Sequence, residues 1–195
     1  GMAAIVGLDQ EAVRSVCDQA DVSLANLNCP GQIVVSGDTD KIDAACDAAK
    51  TAGAKRAIPL PVAGAYHSPL MQPAQSGLGE ILAKVELCEP SVPVYSNVTG
   101  QAHANAQTIA GAMVKQVTSP VKWEACIHAM IADDVTRFIE LGPGTALTGF
   151  MRRIDRTIEV LNVGDCDSLA KAAEAACDSA SFLLPPVPRP SSFPA

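Results

Sequence analysis

A chain of 195 residues with 48% hydrophobic side chains, 18% charged ones and a net charge of -7 is too apolar for a disordered segment and too acidic for a nucleic-acid surface. Abundant Ala with only 4% aromatics suits helices packed on sheets better than an all-β sandwich. Seven scattered cysteines, with no CxxC pair or Cys/His cluster, indicate neither a disulfide frame nor a zinc site; they read as small buried hydrophobes in a reducing compartment.

In chain order, AAIVGL reads as a strand. DQEAVRSVCDQA follows as a helix capped by Asp9, with Val13, Val16 and Cys17 on one face. VSLANLN and QIVVSG are strands joined by the turn Cys29-Pro30-Gly31, and DTDKIDAACDAAKTAG is a helix capped by Asp38 or Thr39 and stopped at Gly53. AKRAIPLPV closes the unit. This β-α-β-β-α-β order over residues 1–61 is the split βαβ, ferredoxin-like arrangement.

Residues 62–180 change to a longer alternation. PLMQPAQSGLGEILAKV reads as a helix, VPVYSNV as a strand, AQTIAGAMVKQV and SPVKWEACIHAMIADD as helices. TRFIELG is a strand, TALTGFMRR a helix, TIEVLNV a strand and SLAKAAEAAC a helix. FIEL and IEVL, without polar alternation, are expected to be buried on both faces of an α/β layer. Residues 181–195 are Pro-rich and read as an extended tail. No apolar run reaches the roughly 18 residues of a membrane span, and no basic-then-apolar leader stands at the N-terminus, so no membrane association is expected.

VAGAYHSPLM places His67 at the junction of the two units, where ligand clefts form, with Ser68 as helix N-cap and Pro69 at the first helical position. A histidine base needs a nucleophile within reach, yet no serine has the GxSxG setting and Ser68 reads as a cap. LGPGTALTG is a strand-to-helix turn that lacks the Lys-Ser/Thr of a phosphate loop. His103 and His128 have no Cys, Asp or Glu at ligand spacing in this reading, and Asp133-Asp134 is a solvated turn, so no metal site is expected.

Together, GMAAIVGL, NLNCPGQIVVSG, GAKRAIPLPVAGAYHSPLM, VPVYSNVTG, QVTSPVKW and FIELGPGTALTGFMRR resemble the malonyl-CoA:acyl carrier protein transacylase family over residues 1 to about 165. The resemblance implies an α/β-hydrolase-like core interrupted by a ferredoxin-like subdomain, with the chain supplying the subdomain and the second part of the core. It implies acyl transfer from malonyl-CoA to the phosphopantetheine thiol of an acyl carrier protein through an acyl-serine. No cofactor is implied, the coenzyme A thioester being the substrate. By resemblance His67 is the general base, and the backbone carbonyl of Gln116 accepts its other N–H in place of a triad carboxylate. Asn28 and Gln32 match positions near the acyl and coenzyme A end of the cleft.

The family's GHSxG serine, its GQGxQ oxyanion block and the Arg that holds the malonyl carboxylate do not occur here. The expectation is therefore a fragment that is inactive alone, with apolar faces that self-associate or accept a complementary N-terminal part. A cytoplasmic location is expected, or a plastid in a photosynthetic eukaryote. Two other readings are an acyltransferase domain of a polyketide or fatty acid synthase, and a non-catalytic module binding a carrier protein through Lys55-Arg56 or Arg152-Arg153.

Overall fold

The computed structural model describes residues 1–177; the Pro-rich stretch expected over 181–195 lies outside them. The first part follows the order β1 (Met2–Val6), α1 (Gln10–Ala20), β2 (Ser23–Cys29), β3 (Gln32–Ser36), α2 (Thr39–Thr51) and β4 (Arg56–Pro59). Its sheet runs β2-β3-β1-β4 with every neighbouring pair antiparallel, so each βαβ crossover skips one strand and the skipped place is filled by another.

Alternation along the strands decides what each face holds. Ala3 and Ile5 of β1 and Ile33 and Val35 of β3 point to the helices. There they meet Val13, Val16 and Cys17 of α1 and Ile42, Ala45, Cys46 and Ala49 of α2 in the main buried cluster. The opposite face carries a smaller cluster of Met2, Ala25 and Val34. Asp9 caps α1 through its carboxylate, which accepts from Ala12 N at 2.8 Å, and the helix ends at Asp21 in the left-handed conformation, φ 53°. Asp38 holds the N-cap position of α2 without a side-chain capping bond.

The second part contains a 3-10 turn Pro69–Met71, α3 (Gln72–Leu82), the hairpin β5 (Tyr95–Ser96) and β6 (Gln101–Ala102), α4 (Ala106–Gln116), α5 (Trp123–Ala132), β7 (Arg137–Leu141), α6 (Ala146–Ile154), β8 (Glu159–Val163) and α7 (Cys166–Cys177). β7 and β8 pair in parallel from Arg137↔Glu159 to Leu141↔Val163, with α6 as the crossover. The two parts are stitched by an isolated parallel bridge: Val121 N donates to Ala25 O and Leu27 N to Val121 O, both at 2.8 Å.

Several elements depart from the sequence expectation. α3 starts at Gln72 rather than Pro69, because the preceding residues close a tight 3-10 turn. α5 starts at Trp123 because Val121 is drawn off to bridge β2. The strand expected over VPVYSNV shrinks to Tyr95–Ser96. β7 is not buried on both faces: Ile139 is 42% and Leu141 76% exposed. Four cysteines (Cys17, Cys29, Cys46, Cys126) are buried as expected, but Cys88 and Cys166 are exposed.

Candidate active site

After β4 the chain crosses between the two parts and turns sharply over Ala65–Ser68. His67 lies in this turn at φ 60°. A non-glycine residue in that region costs about 1–3 kcal/mol and persists only where its surroundings hold it. Two bonds do so. The Ser68 hydroxyl donates to Ala65 O at 2.6 Å in a fully buried setting, and the ring nitrogen Nδ1 of His67 lies 2.9 Å from Gln116 O. Ser68 thus holds the N-cap position before Pro69 but makes no side-chain capping bond; its hydroxyl faces back across the turn instead of forward to the helix.

Gln116 is the last residue of α4, where carbonyls have no partner inside the helix and the helix dipole is negative. Gln116 O accepts from Ser119 N at 3.3 Å and, as a carbonyl oxygen, can only accept from the nearer ring nitrogen too, so Nδ1 carries the hydrogen and Nε2 is left as the basic nitrogen. The Gln116 side-chain Nε2 donates to Ser119 O at 2.8 Å and lies 3.5 Å from His67 Nδ1, farther from the ring than the Gln116 carbonyl. Nearby, Gln75 Nε2 donates to Thr118 Oγ1 at 3.0 Å, tying α3 to the loop that follows α4.

His67 lines a cleft of about 630 Å³ between α1, β2, the 118–122 loop and the start of α5. The cleft's cations are Arg14 and Lys122, and its acid is Asp18. Arg14 and Lys122 enter no ion pair among the described residues. Cys17 also lines it, and burial, reinforced by Asp18 and opposed by Arg14, pushes that thiol up to about 11; at neutral pH it is a thiol, not a thiolate. A second cavity of about 430 Å³ shares Gln10, Leu27 and Ala125 with the first.

Neither Asn28 nor Gln32 is among the residues that line the cleft beside His67. Asn28 is the extra residue of a bulge between the pairs Leu27↔Ile33 and Cys29↔Gln32. Gln32 Oε1 accepts from Arg153 Nη1 at 2.9 Å, and Arg153 Nη2 donates to Pro30 O at 2.9 Å. Arg153 thus fastens α6 to the β2–β3 turn through two neutral acceptors.

The glycine-rich turn already contains its anion. The Glu140 carboxylate accepts from Leu147 N at 3.0 Å, Thr148 N at 2.8 Å and Thr148 Oγ1 at 2.5 Å, filling the α6 N-terminus. Burial pushes this carboxyl up, but the bonds from Thr148 and Leu147 outweigh it and hold it below the usual range. A polar residue inside the apolar strand FIEL was the signal for this cap. His128 does have an acid one turn away, Glu124, at 3.9 Å; no group of three metal-ligating side chains occurs among the described residues.

The acyl transferase domain family matches residues 1–180. The chain is 42% identical over 178 residues to the malonyl CoA-acyl carrier protein transacylase of Bacillus subtilis, and 40% identical over 177 residues to that of Escherichia coli, with 89% of this chain covered in each case. The chain belongs to the acyl transferase domain family. It spans 56% and 57% of the lengths of those two relatives. Among solved members of the family, the acyl-carrier-protein S-malonyltransferase of Burkholderia pseudomallei matches with a TM-score of 0.86 at 40% identity, over 89% of this chain and 58% of that one. A malonyl-transacylase solved in complex with its type II PKS acyl-carrier protein matches with a TM-score of 0.86 at 38% identity, over 89% of this chain and 58% of that chain. The mixed α/β architecture is thus that of solved acyltransferases, and His67 and Gln116 meet inside it.

Proposed function

We propose that this chain carries the general-base half of a malonyl transferase acting between coenzyme A and acyl carrier protein in the cytoplasm. The observation that carries the reading is the 2.9 Å contact between His67 Nδ1 and Gln116 O, which fixes one nitrogen and frees the other beside a cleft. In the reaction, Nε2 of His67 takes the proton of a serine hydroxyl as its oxygen bonds to the thioester carbon. The Gln116 carbonyl, receiving Nδ1–H, stabilises the imidazolium as a triad carboxylate would. The proton then passes to the departing coenzyme A sulfur. In the second half the same nitrogen takes the proton of the carrier's phosphopantetheine thiol, whose sulfur displaces the serine oxygen and receives the malonyl group. Arg14 and Lys122 suit the phosphate groups that both substrates bear. All of this is acid-base chemistry that side chains supply, and the coenzyme A thioester enters as substrate.

The serine nucleophile has no counterpart among these 195 residues, so the chain by itself is expected to transfer nothing. The test is incubation with radiolabelled malonyl-CoA and holo-acyl carrier protein, with and without a polypeptide carrying the rest of the Bacillus subtilis relative. Label on serine and then on the carrier is expected only in the mixture, and His67→Ala is expected to cut its rate at least about a hundredfold. Transfer by the 195-residue chain alone, or an unimpaired His67→Ala mixture, would overturn the reading.

A further inference from the structure

Among the described residues three non-glycine residues have positive φ: Asp21, His67 and Asp134. The two aspartates follow the ends of α1 and α5, where a left-handed residue is a common way to leave a helix and Asp tolerates it. His67 follows no helix, so its conformation has to be imposed by contacts.

The contact next to it is the Ser68 hydroxyl. Ser68 is 1% exposed and Ala65 7%, so the 2.6 Å bond from Ser68 Oγ to Ala65 O is made away from water and spans the two residues, Tyr66 and His67, that form the bend. On its other side Ser68 O accepts from Met71 N at 3.0 Å, anchoring the same residue to the 3-10 turn. Gln116 lies 49 positions away, so the His67 ring meets its carbonyl only while the backbone of the turn keeps this form.

We propose that Ser68 is the positioning residue of His67. Its buried hydroxyl holds the left-handed backbone that delivers Nδ1–H to Gln116 O and leaves Nε2 as the base. The importance of Ser68 for transfer rests on the function proposed above, but the hold on the ring does not.

The test is NMR of the isotope-labelled ring nitrogens of the 195-residue chain, which reads the tautomer of the neutral ring and the exchange of the Nδ1 proton with water. The wild type is expected to show a protonated Nδ1 and a bare Nε2. In Ser68→Ala the two nitrogen shifts are expected to converge and the Nδ1 proton to exchange at least about tenfold faster, because a buried acceptor has lost its donor. Ser68→Cys, with nearly the same shape and a weaker donor, should fall between them. Ser36→Ala, at a residue equally buried but without a hydroxyl partner, should leave the ring as in the wild type. Wild-type ring shifts and exchange in Ser68→Ala would overturn the proposal. If that variant does not fold, wild-type behaviour in Ser68→Cys would overturn it equally. A mixture without transferase activity would count against the proposed function and leave the ring result standing.

Discussion

Two serines of this chain are buried to the same degree and should respond to alanine in opposite directions. Ser68, 1% exposed, donates its hydroxyl to Ala65 O, whereas Ser36, 0% exposed, has a hydroxyl with no partner. A buried polar group without a partner keeps the whole cost of leaving water, about 1–3 kcal/mol, and replacing it by a methyl removes that cost. Ser36→Ala is therefore expected to stabilise the fold by about 1 kcal/mol, read as a higher urea midpoint at unchanged slope. Ser68→Ala is expected to lose about 1 kcal/mol by the same measurement, because Ala65 O is left unsatisfied. A fall in the midpoint on Ser36→Ala would mean that its hydroxyl has a partner in solution. The site is legible in sequence at this scale only in part. His67 stands out from its place before Ser-Pro, but Gln116 is 49 positions away and comes from resemblance alone, since no local pattern encodes which helix end will meet an imidazole.

At the scale of elements, local signals read well wherever the stabilising contact is local. Asp9 and the Val13, Val16 and Cys17 face of α1 are a cap and a 3.6-residue stripe, and both occur as read. The start of α5 departs from the sequence expectation because Val121 bonds to β2, a partner nearly a hundred positions away. The α6 N-terminus lies between these cases, since Glu140 reaches it across the glycine-rich turn. Its carboxyl is held below the ordinary value of 4.5, so the sign of its pH effect is set. The charged form is favoured by folding, its contribution is complete above that ordinary value, and it is lost as pH falls through the lower folded value. Glu140→Ala is accordingly expected to lower the thermal midpoint at neutral pH. The gap between variant and wild type should close as the pH is lowered below about 4.5. A gap that stays constant down to strong acid would show that Glu140 acts by packing and not by charge.

At the scale of the whole molecule, β7 and β8 form a parallel pair, although parallel strands ordinarily lie in larger sheets covered on both faces. Ile139 and Leu141, two apart and so on one face of β7, are 42% and 76% exposed, while Ile81 at the end of α3 is 61% exposed. Surface of this kind associates in water, and burying a leucine side chain gains about 1.5–3 kcal/mol. The chain is therefore expected to self-associate, with a sedimentation-average mass that rises with concentration. Leu141→Asp, placing a charge on the open strand, should weaken association at least about tenfold. A wild type that stays monomeric at every concentration would refute this, and equal association of both proteins would move the contact to Ile81 and the end of α3. The same experiment bears on the transferase. If the polypeptide that restores transfer packs against β7, its addition should convert the self-associated form into a one-to-one complex, and Leu141→Asp should weaken both events together. Self-association that survives saturation with that polypeptide would place the two contacts on different surfaces, and Leu141→Asp would then affect the first without touching transfer.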